Sequence, residues 1–261
     1  MRQRIIVALI ALPIVLIPIW LGGAWSFGLL LAIALLGAQE FYAMMEKGGY
    51  HPARELGLLW TALFVLHGWQ PELLPLTTVL TVGFIAVLIR SLYQQRLPAS
   101  MWMSTSVGAI YLGGMAAQAL SLRLMENGLW WLLFGVLITW ANDTVAYFTG
   151  VTLGRHKLWP RLSPKKTWEG TVAGWIGAAA AGGLLAWLLP LQADILVAIL
   201  IGAVAGVLAL FGDLSVSMLK RQVGVKDSGT LFPGHGGMLD RLDSLLFVLP
   251  VIYLIVLRLP Q

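Results

Sequence analysis

Apolar runs of about twenty residues, broken by short polar turns, recur along almost the whole chain, and each is long enough to cross a hydrocarbon layer as a helix. On that ruler nine segments stand out, at 5–21, 23–45, 56–69, 73–92, 101–121, 128–149, 170–190, 193–219 and 238–257. The third is short and only Gly22-Gly23 parts the first two. The pattern predicts an all-α polytopic membrane protein of about nine helices. The spacings Gly170-x-x-x-Gly174 and Gly202-x-x-x-Gly206 allow close helix approach, within the chain or against a second copy in a homodimer. Trp20, Trp25, Trp60, Trp69, Trp102, Trp130, Trp131 and Trp187 lie near predicted span ends, where an interfacial belt is expected.

Composition agrees, with 59% hydrophobic residues, only 11% charged and a mean hydropathy of +0.84. A soluble domain of 261 residues would need a polar shell that so few charges cannot supply. The net charge of +5 sits in short loops beside apolar runs, so anionic membrane lipid is the expected partner and nucleic acid is not. There is no cysteine, which removes thiolate metal sites and a cysteine nucleophile. Arg2 and Arg4 imitate the start of a signal peptide, but they equally suit an uncleaved first span.

If loops alternate sides, fourteen of the 17 Lys and Arg fall on one side, Arg123 and Arg258 on the other, and Arg241 inside the last span. The positive-inside rule then puts the N-terminus and the basic loops 150–169 and 220–237 in the cytoplasm and the C-terminus outside, in a bacterial inner membrane. Before about residue 140 the spans are almost free of ionisable groups, Glu40 excepted; later ones carry polar residues. One membrane domain is expected, with 1–130 as scaffold and 131–261 as the catalytic half.

Chemistry concentrates at 213–243, DLSVSMLKRQVGVKDSGTLFPGHGGMLDRLD. Asp213, Ser217, Lys220 and Arg221 share one face of a continuing helix, as do Asp240, Asp243 and Ser244 at the start of the next. Between them 226–237 is too rich in glycine for a long helix; Gly234, Gly236 and Gly237 suit a turn with backbone N–H groups facing an anion. Asp213 lies about 28 Å along its helix, near the inner edge of the hydrocarbon. A carboxylate there costs several kcal/mol and is a functional hypothesis by default; the alternative is a structural ion pair, Asp240 with Arg241 or Asp213 with Lys220. Asp213 and Asp240 are the expected metal ligands, with Asp227 and Asp243 as further candidates. Carboxylates for a divalent cation and cations for phosphate oxygens are the parts that phosphoryl or nucleotidyl transfer needs. A lipid or polyprenol kinase would use the same parts. A secondary transporter would place carboxylates nearer the midplane, within paired repeats that this chain lacks.

The run S-M-L-K-R, K-D-S-G, H-G-G-M-L-D-R-L-D resembles the signature of the phosphatidate cytidylyltransferases, also called CDP-diacylglycerol synthases, with no departure across 217–243. Asp143-Thr144-x-Ala146-Tyr147-x-x-Gly150 and Ser163-Pro164-Lys165-Lys166-Thr167-x-Glu169-Gly170 extend the likeness. The resemblance implies CTP and phosphatidate as substrates, giving CDP-diacylglycerol and pyrophosphate. It implies Mg²⁺ on Asp213 and Asp240, with a second cation such as K⁺ allowed by so many carboxylates, and triphosphate on the Ser163–Lys166 loop before a helix N-terminus. Lys220 and Arg221 are then expected at the lipid phosphate. Asp143, Ser217, Lys226, Asp227, His235, Gly236, Gly237 and Arg241 complete the expected substrate contacts.

Overall fold

A computed structural model of the chain describes residues 2–232 and 236–259. In chain order the helices are α1 (Arg2–Leu21), α2 (Gly23–Lys47), α3 (Arg54–Trp69), α4 (Leu76–Leu92), α5 (Pro98–Gly108), a π-helical segment Ala109–Gly114, α6 (Met115–Leu124) and α7 (Gly128–Thr152). A two-stranded hairpin follows, β1 (Lys157–Trp159) and β2 (Ser163–Thr167), then α8 (Trp168–Leu188), α9 (Ile195–Gln222), the one-turn α10 (Leu239–Leu242) and α11 (Leu245–Val256). Each of the nine predicted segments thus holds a helix, and five helical stretches are long and apolar enough to cross a membrane. The protein is a helical, polytopic membrane protein.

Three local differences from the sequence reading matter. The basic loop before α8 contains the hairpin, with Lys157 opposite Thr167 and Trp159 opposite Ser163. The final span begins at Leu245 rather than 238, because α10 ends at Leu242 and the chain turns at Asp243-Ser244. Trp60 and Trp131 are core residues, not belt residues; Trp20, Trp25 and Trp187 are the exposed ones.

By its internal contacts the chain divides into two compact units: Met1–Leu124 with Leu219–Leu242, and Met125–Met218 with Asp243–Gln261. The segment 219–242 therefore belongs with the N-terminal helices. In the first unit Trp60, Phe64, Val79, Val87, Ala109 and Ala117 form one buried cluster and Leu30, Ala34, Val65, Ala116 and Leu120 another. Lipid tails are as apolar as these side chains, so close packing and satisfied polar groups hold such helices together more than hydrophobic transfer does. Trp60 Nε1 donates to Val79 O at 2.9 Å, Tyr42 Oη to Thr105 O at 3.0 Å, and Arg123 Nε to Ile19 O at 2.7 Å.

The second unit is built on small residues. Gly170 and Gly174 of α8 lie against Ala146, Gly150 and Asn142 of α7, and Gly202 and Gly206 of α9 against Ala178 of α8. Both G-x-x-x-G spacings are spent on packing inside the chain. Gly135 of α7 receives Leu249 and Ile252 of α11, and Ser244 Oγ donates to Ala209 O of α9 at 3.1 Å. Outward faces stay apolar, with Ile176, Leu184, Leu196 and Leu200 exposed, as lipid contact requires.

Candidate active site

In the second unit the hairpin delivers a lysine to an aspartate. Lys166 Nζ meets Asp213 Oδ2 at 2.5 Å, and Ser217 Oγ, one turn further along α9, donates to Asp213 Oδ1 at 3.1 Å. The i, i+4 pairing is the one the sequence predicts. Lys165, next on β2, is exposed, and Ser163 at the start of the strand is half-buried. The hairpin is rooted at α8, where the Thr167 hydroxyl accepts from Gly170 N at 3.2 Å as N-cap. Glu169 accepts from Arg155 N at 3.1 Å and pairs with His156 Nδ1 at 2.6 Å, tying down the chain that enters the hairpin.

Asp143 of α7 accepts from its neighbour Asn142 Nδ2 at 3.1 Å and lies within electrostatic reach of Lys166 and Asp213. Tyr147, one turn further along α7, is exposed and packs edge-on against Phe148. Beneath the hairpin an apolar cleft of about 400 Å³ is lined by Leu158, Trp159, Trp168, Trp175, Leu210 and Phe211, among others.

In the first unit the last turn of α9 supplies Lys220, whose Nζ meets Asp240 Oδ1 at 2.7 Å. Asp240 Oδ2 accepts from Ser228 N at 2.8 Å, Ser228 Oγ at 3.0 Å and Gly237 N at 3.0 Å. Burial alone would raise this carboxyl's pKa, but the Lys220 ammonium and the amides of Gly237 and Ser228 outweigh it and hold the group below its usual value. Gly236 has φ +82°, and a Cβ there would run into the Asp240 carboxylate, so glycine is required on both counts. The glycine turn does aim an N–H at an anion, but for Gly237 that anion is the protein's own Asp240.

Arg221, Lys226, Asp227 and Arg241 are exposed, and Arg221 Nη1 donates to Val225 O at 3.3 Å. Asp243 Oδ1 accepts from Ser244 N at 2.8 Å. His235, expected at a substrate phosphate, lies outside the described residues with Pro233 and Gly234. Both aspartates singled out in the sequence therefore pair with lysine, but with other partners than the ion pairs the sequence offered: Lys166 rather than Lys220 for Asp213, and Lys220 rather than Arg241 for Asp240.

Glu40 is the residue whose role the sequence did not disclose. Its Oε1 accepts from Met238 N at 2.9 Å, and its Oε2 from Leu239 N at 3.0 Å and Ser228 Oγ at 2.9 Å. The available signal was its solitude as an ionisable group in the early spans.

An ionised carboxylate offers about four lone-pair sites. Among the described residues Asp240 Oδ2 meets Ser228 N, Gly237 N and the Ser228 hydroxyl, whose single proton it shares with Glu40, while Oδ1 meets Lys220 Nζ. Asp213 meets two, Lys166 Nζ and Ser217 Oγ. Among the described residues no three acidic or histidine side chains converge. That donor set fits Mg²⁺, which prefers one or two carboxylates plus water and substrate phosphate to an all-protein cage. Asp213, with one donor on each oxygen among the described residues, is the less crowded of the two carboxylates.

Comparison with known proteins places these features. The model of the cytidylyltransferase family matches residues 2–259. A phosphatidate cytidylyltransferase of Synechocystis sp. is 35% identical over 99% of this chain and 97% of its own length. Similar proteins of the same name from Staphylococcus haemolyticus, 31% identical over 99% of this chain and 100% of theirs, and Brucella abortus, 34% identical over 97% and 92%, agree along nearly their whole lengths. A match that runs from the first helix to the last, and not only through the motifs, establishes that the chain belongs to the cytidylyltransferase family.

Proposed function

We propose that the protein transfers the cytidylyl group of CTP to phosphatidate, giving CDP-diacylglycerol and pyrophosphate at the cytoplasmic face of a bacterial inner membrane. The observation that carries the reading within the site is Asp213: a carboxylate on a membrane helix, held by Ser217 and a hairpin lysine, with one donor on each oxygen among the described residues. In this reading a divalent cation and the triphosphate meet at Asp213.

An oxygen of the phosphatidate phosphate attacks the α-phosphorus of CTP in line. The new P–O bond forms as the bond to the β-phosphate oxygen breaks, and pyrophosphate leaves with that electron pair; no protein nucleophile intervenes. Lys165 and Lys166 hold the β- and γ-phosphates and offset the charge that grows on the leaving group. Lys220 and Arg221 take the lipid phosphate, Arg221 through its planar fork. Asp213, with Ser217 and Asp143 near it, would hold Mg²⁺, which when bound neutralises phosphate charge and polarises the α-phosphoryl group. Asp240, paired with Lys220, would be the second carboxylate to hold a cation.

The topology that suits this chemistry has nine spans, with the N-terminus and both basic loops in the cytoplasm where CTP is. A reporter after Gln261 should read as external and one near Lys157 as internal; both on one side would remove it. The activity is tested by giving the purified protein each of four labelled nucleoside triphosphates with phosphatidate. A CTP-dependent liponucleotide is expected, and a lipid that instead gains the γ-phosphate of ATP would make the protein a kinase.

A further inference from the structure

We infer that Glu40 is a positioning residue for the reaction: from a helix in the N-terminal half it braces the loop that carries Lys220's partner, Asp240. The inference rests on the reading of that loop as the lipid-phosphate side of a cytidylyltransferase.

Glu40 stands on one of the most firmly held stretches of the first unit. Phe41, Tyr42, Met44 and Met45 around it are buried, Tyr42 is tied to Thr105 O at 3.0 Å, and Thr105 Oγ1 accepts from Ala53 N at 2.8 Å. The described residues of the loop 223–238, by contrast, form no regular element beyond one isolated bridge, Phe232 with Gly236. Its backbone needs acceptors from elsewhere, and Glu40 supplies them. One oxygen takes the amide of Met238; the other takes Leu239 N and the Ser228 hydroxyl, so a single side chain grips both ends of the loop.

The grip passes directly to Asp240. Ser228 Oγ lies 2.9 Å from Glu40 Oε2 and 3.0 Å from Asp240 Oδ2, so the two carboxylates share one hydroxyl. Met238 and Leu239 are the residues immediately before Asp240, and Leu239 is fully buried. Fixing their amides fixes where the Asp240 carboxylate, and through it Lys220, can sit. The glycines of the motif fit this purpose. A Cβ on Gly229 or on Gly237 would collide with the Glu40 carboxylate, so the backbone passes Glu40 at a distance only glycine allows. A carboxylate that accepts at both oxygens has a further property: glutamine cannot replace it, because its NH₂ would face an N–H or O–H donor.

The test uses the full chain in detergent, with two readouts: amide hydrogen exchange by mass spectrometry across 226–242, and two-substrate kinetics in mixed micelles. For Glu40→Gln, exchange over 226–242 should rise about tenfold while exchange across α7 stays as in the wild type, since a buried donor left without an acceptor costs roughly that much. The apparent KM for phosphatidate should rise by a similar factor and that for CTP by less than about twofold, because only the loop has lost its brace. Glu40→Asp, which keeps the charge but falls one methylene short, should lie in between. Ser228→Ala, which removes only the shared hydroxyl, should shift both readouts in the same direction by less.

A loss of folded enzyme lowers the maximal rate and moves neither KM, so the split separates positioning from mere stability. Wild-type exchange in Glu40→Gln, or an equal rise of both KM values, overturns the inference. If Glu40→Gln does not fold, Ser228→Ala decides: unchanged exchange and unchanged KM for phosphatidate overturn it. Failure of the wild-type protein to make a liponucleotide would sink the reaction reading alone, and the exchange arm would still decide whether Glu40 holds the loop.

Discussion

Two lysine–aspartate pairs of similar length sit in surroundings that give them different work. Lys220–Asp240 spans 2.7 Å with side chains 11% and 8% exposed, whereas Lys166–Asp213 spans 2.5 Å with side chains 27% and 30% exposed. Asp240 is wrapped by backbone amides and a hydroxyl as well as its lysine; Asp213 has one hydroxyl and its lysine. In the first pair the charges organise a loop. In the second both side chains are more open. Two aspartates that look alike in the sequence are thus separable by the donors around them among the described residues.

The largest effect should come from breaking the enclosed pair. Lys220→Met leaves the Asp240 charge buried without its counterion, which costs about 3–5 kcal/mol. Thermal unfolding in detergent should fall accordingly, and turnover with it. Adding Asp240→Asn to Lys220→Met removes the stranded charge while keeping an acceptor for the loop amides, so the double variant should be more stable than Lys220→Met alone. A double variant no better than the single would mean that the lysine stabilises the loop by packing its stem and not by charge.

Asp213→Asn should reverse the pattern of costs. Stability should change by no more than about 1 kcal/mol, as for a partly exposed pair. Turnover should fall about a hundredfold or more, because the several kcal/mol of charge stabilisation expected of a cation site is at stake. If Asp213→Asn unfolds the protein and Lys220→Met does not, the assignment of the two pairs is inverted.

Next in size, Lys165→Ala with Lys166→Ala should raise the apparent KM for CTP about tenfold and that for phosphatidate much less, the loss of one or two charge-assisted hydrogen bonds. Arg221→Ala should do the opposite, and Arg221→Lys should follow Arg221→Ala because a point charge does not reproduce a bidentate fork. Equal shifts of both constants in each variant would end the division of labour between hairpin and α9 terminus.

The contrast also marks what a sequence discloses. The spans were legible because twenty apolar residues in a row have few alternatives, and Ser217 on Asp213 because i, i+4 on a helix fixes a neighbour. The partner of Lys220 was not, since seven residues along a helix from Asp213 places it on that face without saying which carboxylate crosses to it; Asp240 does. The hairpin was hidden because its strands are short and Pro164-Lys165-Lys166, the middle of the second, carries none of the β-branched or aromatic residues that mark strands. The late start of α11 was hidden because the hydropathy of 245–257 swamps the two-residue turn before it. Glu40 is nearly two hundred residues from the amides it binds, a distance no local pattern bridges.

The smallest effect tests how Lys166 is held. The Lys220–Asp240 pair is secured by a network drawn from α2, α9 and the loop, but Lys166 rides on a two-stranded hairpin, which is marginal by itself. Its anchor is Thr167, buried at the root, whose hydroxyl caps α8 and whose side chain packs against Gly154 and Gly150. Losing a threonine cap costs about 1 kcal/mol. Thr167→Ala should therefore lower stability by about that amount and, by loosening the strand that presents Lys166, raise the apparent KM for CTP about twofold to fivefold with no change for phosphatidate. Thr167→Ser retains the hydroxyl and should restore most of both. Should Thr167→Ala destabilise the protein yet leave the KM for CTP untouched, the position of Lys166 would be fixed by Asp213 itself and not by the hairpin, and the open pair would then resemble the enclosed one more closely than its exposure suggests.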